Sequence, residues 1–367
     1  MTRKNDHGRY GKNRVSRRTL LKGVGVGAGL AAAGVMPWTA KAAEDKTVIF
    51  AGWGGNWQKA ERTFYFDSFE KASGIKVIDV PNVNLAKIKT MVDAKNVEWD
   101  VVQALGMWVP QKASSGDLWE KLDYSVIKTD GVPKDLVDPY GVSNASFAMI
   151  LAYNTKAYPA DKAQPASWVD FWDIKKFPGK RGTLNQPRYS LEMALLADGV
   201  PMDKLYPLDV DRAFKKWDTI KSNTLFWDQW PQAPTLLASG ELTMTLSNPP
   251  RILGLLQTEK NAPVAIAWKQ GIMTTDFLCV PRGSKRKENA FKLISWMLDA
   301  KLQADYAIDT TVGPSNFKAL DLLDAKTKEM LPSYRFQKGD LVSFDRGWWA
   351  ANIDKMTERW NQWKLKA

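Results

Sequence analysis

From residue 46 onward, short apolar runs alternate with amphipathic stretches. Lys46-Thr-Val-Ile-Phe-Ala51 has the length and content of a buried strand. Trp57, Ala60, Phe64, Phe69 and Ala72 keep to one helical stripe, and Gly74 follows as a stop. Ile75-Lys-Val-Ile-Asp-Val80 predicts a second strand. Leu85, Ile88, Met91 and Val92 predict a helix over 84–95, and Asp100-Val-Val-Gln-Ala104 a third strand. Strand-helix-strand-helix-strand is the order of a parallel sheet with helices on its faces.

The pattern continues through the middle of the chain. Phe147–Tyr153 is a nearly unbroken apolar run of the fully buried kind. Ser167-Trp-Val-Asp170 reads as a capping box opening a short helix. Strands are predicted at 180–184, 242–246, 264–268 and 275–281, and helices at 190–198, 210–220, 234–239 and 288–298. An amphipathic helix with an aromatic face closes the chain, from Trp348 to Trp363. No repeat or flexible linker separates the elements. Two α/β lobes built without a linker predict a chain that crosses between them more than once.

Composition narrows the chemistry. The chain has 367 residues, 44% apolar and 25% charged, enough for about two soluble domains. Its only histidine is His7 and its only cysteine is Cys279. A Ser-His-Asp triad, a Cys-His pair, a histidine-ligated metal or haem and an intrachain disulfide are therefore excluded from residue 8 onward. No cofactor or metal is expected. The net charge of +12 does not signal nucleic acid, because residues 1–43 hold nine Lys/Arg against one acid, Asp6. The rest is nearly balanced and lacks the clustered cations of a phosphate-binding groove.

That basic leader reads as an export signal. Ser16-Arg17-Arg18-Thr19-Leu20-Leu21-Lys22 precedes a weakly apolar, glycine-rich run from Val24 to Trp38, and then Ala40-Lys41-Ala42, a small-x-small cleavage pattern. The run is too short to span a bilayer. The motif looks like a twin-arginine signal peptide over residues 1–42, which implies export to the periplasm. No cysteine follows the cleavage site to carry a lipid anchor.

Taken in order, several segments resemble the spermidine/putrescine-binding group of bacterial periplasmic solute-binding proteins, which serve ABC importers. They are Trp53-Gly54-Gly55, Glu98-Trp99-Asp100-Val101-Val102, Leu151-Ala-Tyr-Asn-Thr155, Ser167-Trp-Val-Asp-Phe-Trp-Asp173, Phe177-Pro-Gly-Lys180, Ala238-Ser-Gly-Glu241, Asp276-Phe-Leu-Cys-Val-Pro-Arg-Gly283 and Gly313-Pro-Ser-Asn316. The resemblance implies an α/β periplasmic-binding-protein fold with two discontinuous lobes around a central ligand cleft. On that basis lobe 1 is expected over 43–146 plus 277–325, and lobe 2 over 147–276 plus 326–367. The implied protein is a monomer that hands a small-molecule ligand to a membrane permease by lobe closure. It is not an enzyme, is not embedded in the membrane and binds no nucleic acid.

The resemblance also implies site residues. Asp276 matches the acid that grips an ammonium group in polyamine-binding relatives. Those relatives carry a second acid just ahead of an arginine, but the matching stretch here, Asn185-Gln186-Pro187-Arg188-Tyr189, has none. Arg251, in Ser247-Asn-Pro-Pro-Arg251, offers a planar fork suited to a carboxylate. One cation-binding Asp and one anion-binding Arg suit an ω-amino acid such as γ-aminobutyrate, with a polyamine as the other amine ligand. The ligand-binding candidates are Trp53, Gly54, Trp108, Gln186, Tyr189, Trp227, Arg251 and Asp276. Trp53, Trp108, Trp227 and Trp230 fall in predicted loops, where they form either an aromatic box for ammonium groups or ordinary packing. Three rivals stay open at this point: a sugar or other organic solute on the same fold, a thiaminase-like enzyme using Cys279, and a cofactor-bearing redox protein.

Overall fold

The computed structural model describes residues 46–110 and 118–366. The basic leader and its arginine pair lie outside the described residues. Among those residues, eleven strands join one mixed sheet. They are β1 (Thr47–Ala51), β2 (Lys76–Val80), β3 (Val101–Leu105), β4 (Val137–Asp138), β5 (Gly141–Asn154), β6 (Arg181–Leu184), β7 (Thr224–Trp227), β8 (Met244–Ser247), β9 (Val264–Cys279), β10 (Gly313–Pro314) and β11 (Leu341–Ser343). The order is β2-β1-β3-β9-β5-β8-β6-β7, with β4 and β10 on β5 and β11 on β9.

The two long strands, β5 and β9, form the antiparallel centre. On one side β2, β1 and β3 are mutually parallel; on the other, β8, β6 and β7 are. The register fixes where these groups aim. β3 runs from Val102 opposite Cys279 to Leu105 opposite Asp276. β8 runs from Met244 opposite Tyr153 to Ser247 opposite Ile150. Both parallel groups therefore point their carboxyl ends at the middle of the β5–β9 pair, the crevice where open α/β sheets bind ligands.

The apolar cores divide at the same place. Val142, Ala145, Leu278 and Val280 pack with the first group, whereas Ala148, Met149, Ile272 and Met273 pack with the second. Phe147 touches both. The aromatic stripe of the terminal helix, Arg346–Leu365, joins the second core through Trp349, Trp360 and Trp363.

Several sequence expectations need correction. The strands predicted at 264–268 and 275–281 are one strand, β9. The break in apolar pattern at Lys269-Gln270-Gly271 marks a bulge: Gln270 has φ of 63° and the register with β5 slips between Met149 and Leu151. The first helix is not uniform. It runs as Gly55–Glu61, a widened π turn at Arg62–Phe66, and Asp67–Ser73. The strand β7 and the helices Pro249–Thr258 and Ala300–Thr310 were not anticipated. In the second of these, Asn248 caps the Arg251 N–H and two prolines occupy the opening turn, so a motif that reads as a loop starts a helix.

Trp217 shows how firmly the second core is held. It is fully buried, donates its indole N–H to the Ser190 carbonyl at 2.8 Å, and has the Trp172 ring 4.6 Å away. Trp217→Ala is expected to lower unfolding stability by ~3–5 kcal/mol, read as a fall in the urea midpoint at unchanged slope. Ile308→Ala, at a position 58% exposed, should stay within about 0.5 kcal/mol.

Candidate functional site

Trp53 emerges at the carboxyl end of β1. The chain turns there because Gly52 N–H bonds to the Val80 carbonyl at 3.0 Å and Gly54 N–H to Gln58 Oε1 at 2.8 Å. Gly54 has φ of 82°, and a β-carbon there would meet Pro81 Cβ at 2.9 Å. Both facts require glycine. The turn aims the Trp53 indole across the sheet, where Nε1–H donates to Asp276 Oδ2 at 2.7 Å.

Asp276 is 5% exposed. Burial pushes its carboxyl up to about 7, against the lowering pull of the indole bond. Its other oxygen, Oδ1, has no partner among the described residues and is not among the sealed polar atoms. Trp108 closes one side, its ring 5.8 Å from that of Trp53. It sits on the 3-10 turn Gly106–Trp108 at the end of β3, and its carbonyl accepts the Trp119 indole at 3.2 Å.

Tyr189 approaches from the second group of strands. Its hydroxyl is buried near the Thr274 side chain, and it lies within electrostatic reach of Asp276. The residue stands at φ 68°, a strained conformation for a bulky side chain. Phe344 packs on its ring at 5.3 Å and in turn stacks on Trp349 at 5.8 Å. Gln186 lies on the same loop; its Oε1 accepts from Arg188 at 3.0 Å, while its Nε2 is sealed and unpartnered.

Trp227 and Arg251 form a separate group. Trp227 was expected in a loop but ends β7, 1% exposed, with its indole donating to Thr245 Oγ1 at 3.0 Å. It is a core residue whose polar end is already satisfied. Trp230 packs on it at 5.4 Å, and the half-buried Arg251 guanidinium lies 5.9 Å over the Trp230 ring. Burial lowers the Arg251 pKa, and no acid among the described residues pairs with it. Trp53, Gly54, Trp108, Tyr189 and Asp276 are thus brought together, with Gln186 at their edge. Arg251 opens the helix after β8, and among the described residues no hydrogen bond or ring contact joins it to this group.

Two buried carboxyls escaped the sequence reading. Glu61 is fully buried within electrostatic reach of Asp276, and burial raises its pKa well above the usual range. Oε1 accepts the Trp57 indole at 3.2 Å and Oε2 is orphaned. The Gln103 amide is close enough to stabilise the charged form, yet neither of its ends meets hydrogen-bond geometry. The available signal was an acid four residues after a stripe tryptophan. Glu192 is likewise sealed, accepting Tyr206 Oη and Trp349 Nε1 at 2.6 Å each, and burial raises its pKa to about 7. Its place inside an all-apolar run, Ser190–Ala197, gave no chemical cue.

These raised values make a prediction for the unliganded protein. Asp276 and Glu192 keep their protons to about pH 7 in the fold, whereas their ordinary values are 3.8 and 4.5. Their contribution to stability is therefore complete below about pH 4 and is lost as pH rises through 7. The melting temperature should fall between pH 5 and pH 8, and Asp276→Asn or Glu192→Gln should each flatten that fall.

Comparison with known proteins agrees with this geometry. Residues 65–332 match the profile of the bacterial extracellular solute-binding proteins. The γ-aminobutyric acid-binding protein of Pseudomonas aeruginosa is 31% identical over 335 residues, covering 88% of this chain and 92% of that protein. Spermidine/putrescine-binding periplasmic protein 1 of Haemophilus influenzae is 28% identical over 278 residues, 72% of this chain and 74% of that protein. A solved GABA receptor superposes with a TM-score of 0.79 at 37% identity, covering 88% of this chain and 98% of that one. With two converging sets of parallel strand ends and a match spanning most of the chain, the protein belongs to the bacterial extracellular solute-binding family, whose members carry ligands for ABC transporters rather than turn them over.

Proposed function

We propose that this protein is the periplasmic binding component of an ABC importer for a small solute with a primary amine at one end and a carboxylate at the other. The observation that carries the reading is Asp276. A buried carboxyl with one oxygen held by Trp53, which itself packs on Trp108, and the other without a partner among the described residues suits an ammonium group. The names of the relatives, γ-aminobutyric acid for one and polyamines for another, support an amine ligand. A diamine needs two ionised acids. The other acid nearby, Glu61, is sealed with one oxygen orphaned, and burial disfavours its charged form, which favours a ligand with a single ammonium.

On this reading the leader, with its twin arginines, exports the chain to the periplasm, where it works as a monomer. Ligand bridges the two lobes, which part near 146/147 and 276/277, and stabilises the closed form through contacts that the open form lacks. The closed surface then docks on the permease.

Calorimetry on residues 43–367 tests the reading, with γ-aminobutyrate, putrescine and glucose as ligands. γ-Aminobutyrate is expected to bind, and Asp276→Asn to weaken it at least a hundredfold with the unliganded fold retained. An ammonium needs the ionised carboxylate, so affinity should rise with pH towards neutrality. Below Asp276's value of about 7 it should fall by roughly tenfold per pH unit. Affinity that is flat from pH 5 to 8, or unchanged in Asp276→Asn, refutes the assignment of the amine seat. Binding of glucose alone would refute the solute class.

A further inference from the structure

Arg188 is a half-buried cation that no acid neutralises among the described residues. One guanidinium nitrogen donates to Gln186 Oε1 at 3.0 Å; the other reaches Met107 Sδ at 3.7 Å. A neutral amide and a thioether are weak acceptors for a guanidinium. The fork has five N–H donors, so most of its capacity is unspent.

Its position gives that capacity a use. Arg188 belongs to the loop after β6, on the second group of strands, whereas Met107 sits beside Trp108 on the turn after β3, on the first. The Arg188–Met107 contact therefore spans the crevice. Arg188 also lies 5.7 Å over the ring of Tyr189, which is within electrostatic reach of Asp276. Tyr189 thus lies between the two charged groups in the sequence of contacts, and the Phe344 ring packed on it at 5.3 Å helps keep its strained backbone in place. The unpaired Nε2 of Gln186 adds a donor beside the fork. Arg251, by contrast, lies in the helix after β8 with its guanidinium 5.9 Å over the Trp230 ring.

We propose that Arg188 is the residue that receives the ligand's carboxylate, exchanging its Met107 contact for a two-pronged ion pair, and so selects amino acids over diamines. This rests on the reading of the crevice as an amine-and-carboxylate site. It goes beyond that reading by placing the anionic end on the loop after β6. Exchange of a weak sulfur contact for the ligand is also a route by which ligand tightens the two halves on each other.

The test measures γ-aminobutyrate and propylamine, its counterpart without the carboxylate, on residues 43–367 by calorimetry and competition. The proteins are the parent, Arg188→Gln, Arg188→Lys and Arg251→Gln. Arg188→Gln is expected to weaken γ-aminobutyrate ten- to a hundredfold, leave propylamine within twofold, and leave the unliganded melting temperature within a degree or two. Arg188→Lys should recover part of the loss, because it keeps the charge without the fork. Equal γ-aminobutyrate binding by Arg188→Gln and parent overturns the proposal, as does an equal loss for both ligands, which marks Arg188 as structural. Loss of carboxylate selectivity in Arg251→Gln alone assigns the anion seat to Arg251 and also overturns it. A parent protein that binds neither γ-aminobutyrate nor any other ω-amino acid fails at the earlier step, the reading of the crevice itself.

Discussion

The antiparallel pairing of β5 with β9 is the constraint on which the rest of this structure depends. Each strand passes from one core to the other, and each edge of the pair seeds a parallel group of three strands. Because β3 and β8 both lie antiparallel to their long neighbour, each group's carboxyl ends face the middle. A crevice lined by loops from both sides follows from strand direction alone. No linker is needed, since the strands themselves are the connection, and the bulge at Gln270 supplies local bending without breaking the ladder.

Within that frame, burial and hydrogen bonding divide labour among the acids. Asp276, Glu61 and Glu192 are all removed from water, and each has its pKa raised by that burial. They differ in what their second oxygen meets. Those of Glu61 and Glu192 are sealed and orphaned, whereas that of Asp276 is not sealed. The same desolvation disfavours the charged form of all three, but only Asp276 keeps an oxygen that is not sealed. Arg188, on the loop after β6, and Arg251, in the helix after β8, are partly buried cations with no acid partner among the described residues.

The pattern of the chain made most of the architecture legible because the parallel strands other than β7 are short and bounded by glycine, proline or a cap. The amphipathic stripes placed most helices within two or three residues. What failed did so for local reasons. Gln270 broke the apolar run of β9 without breaking the strand. Pro249-Pro250 reads as a turn but starts a helix, since prolines are tolerated where the first N–H groups have no helical partner. Arg62–Phe66 keeps a helical stripe, and no residue in it announces the widened turn.

The sequence by itself determined the fold class, the absence of histidine chemistry from residue 8 onward and the candidacy of Asp276. The first two follow from strand periodicity and residue inventory, and the third from a motif that resembles the ammonium grip of polyamine-binding relatives, all of which are one-dimensional properties. Only the tertiary structure decided which candidates meet. It joined Trp53 to Asp276 across 223 residues, withdrew Trp227 into the core by satisfying its indole on Thr245, and brought Arg188 against Met107. It also set Glu61 behind the site as a sealed neutral acid. Burial and hydrogen-bond partners come from residues far apart in the chain, so neither the direction of a side chain nor its charge state is written in its local sequence.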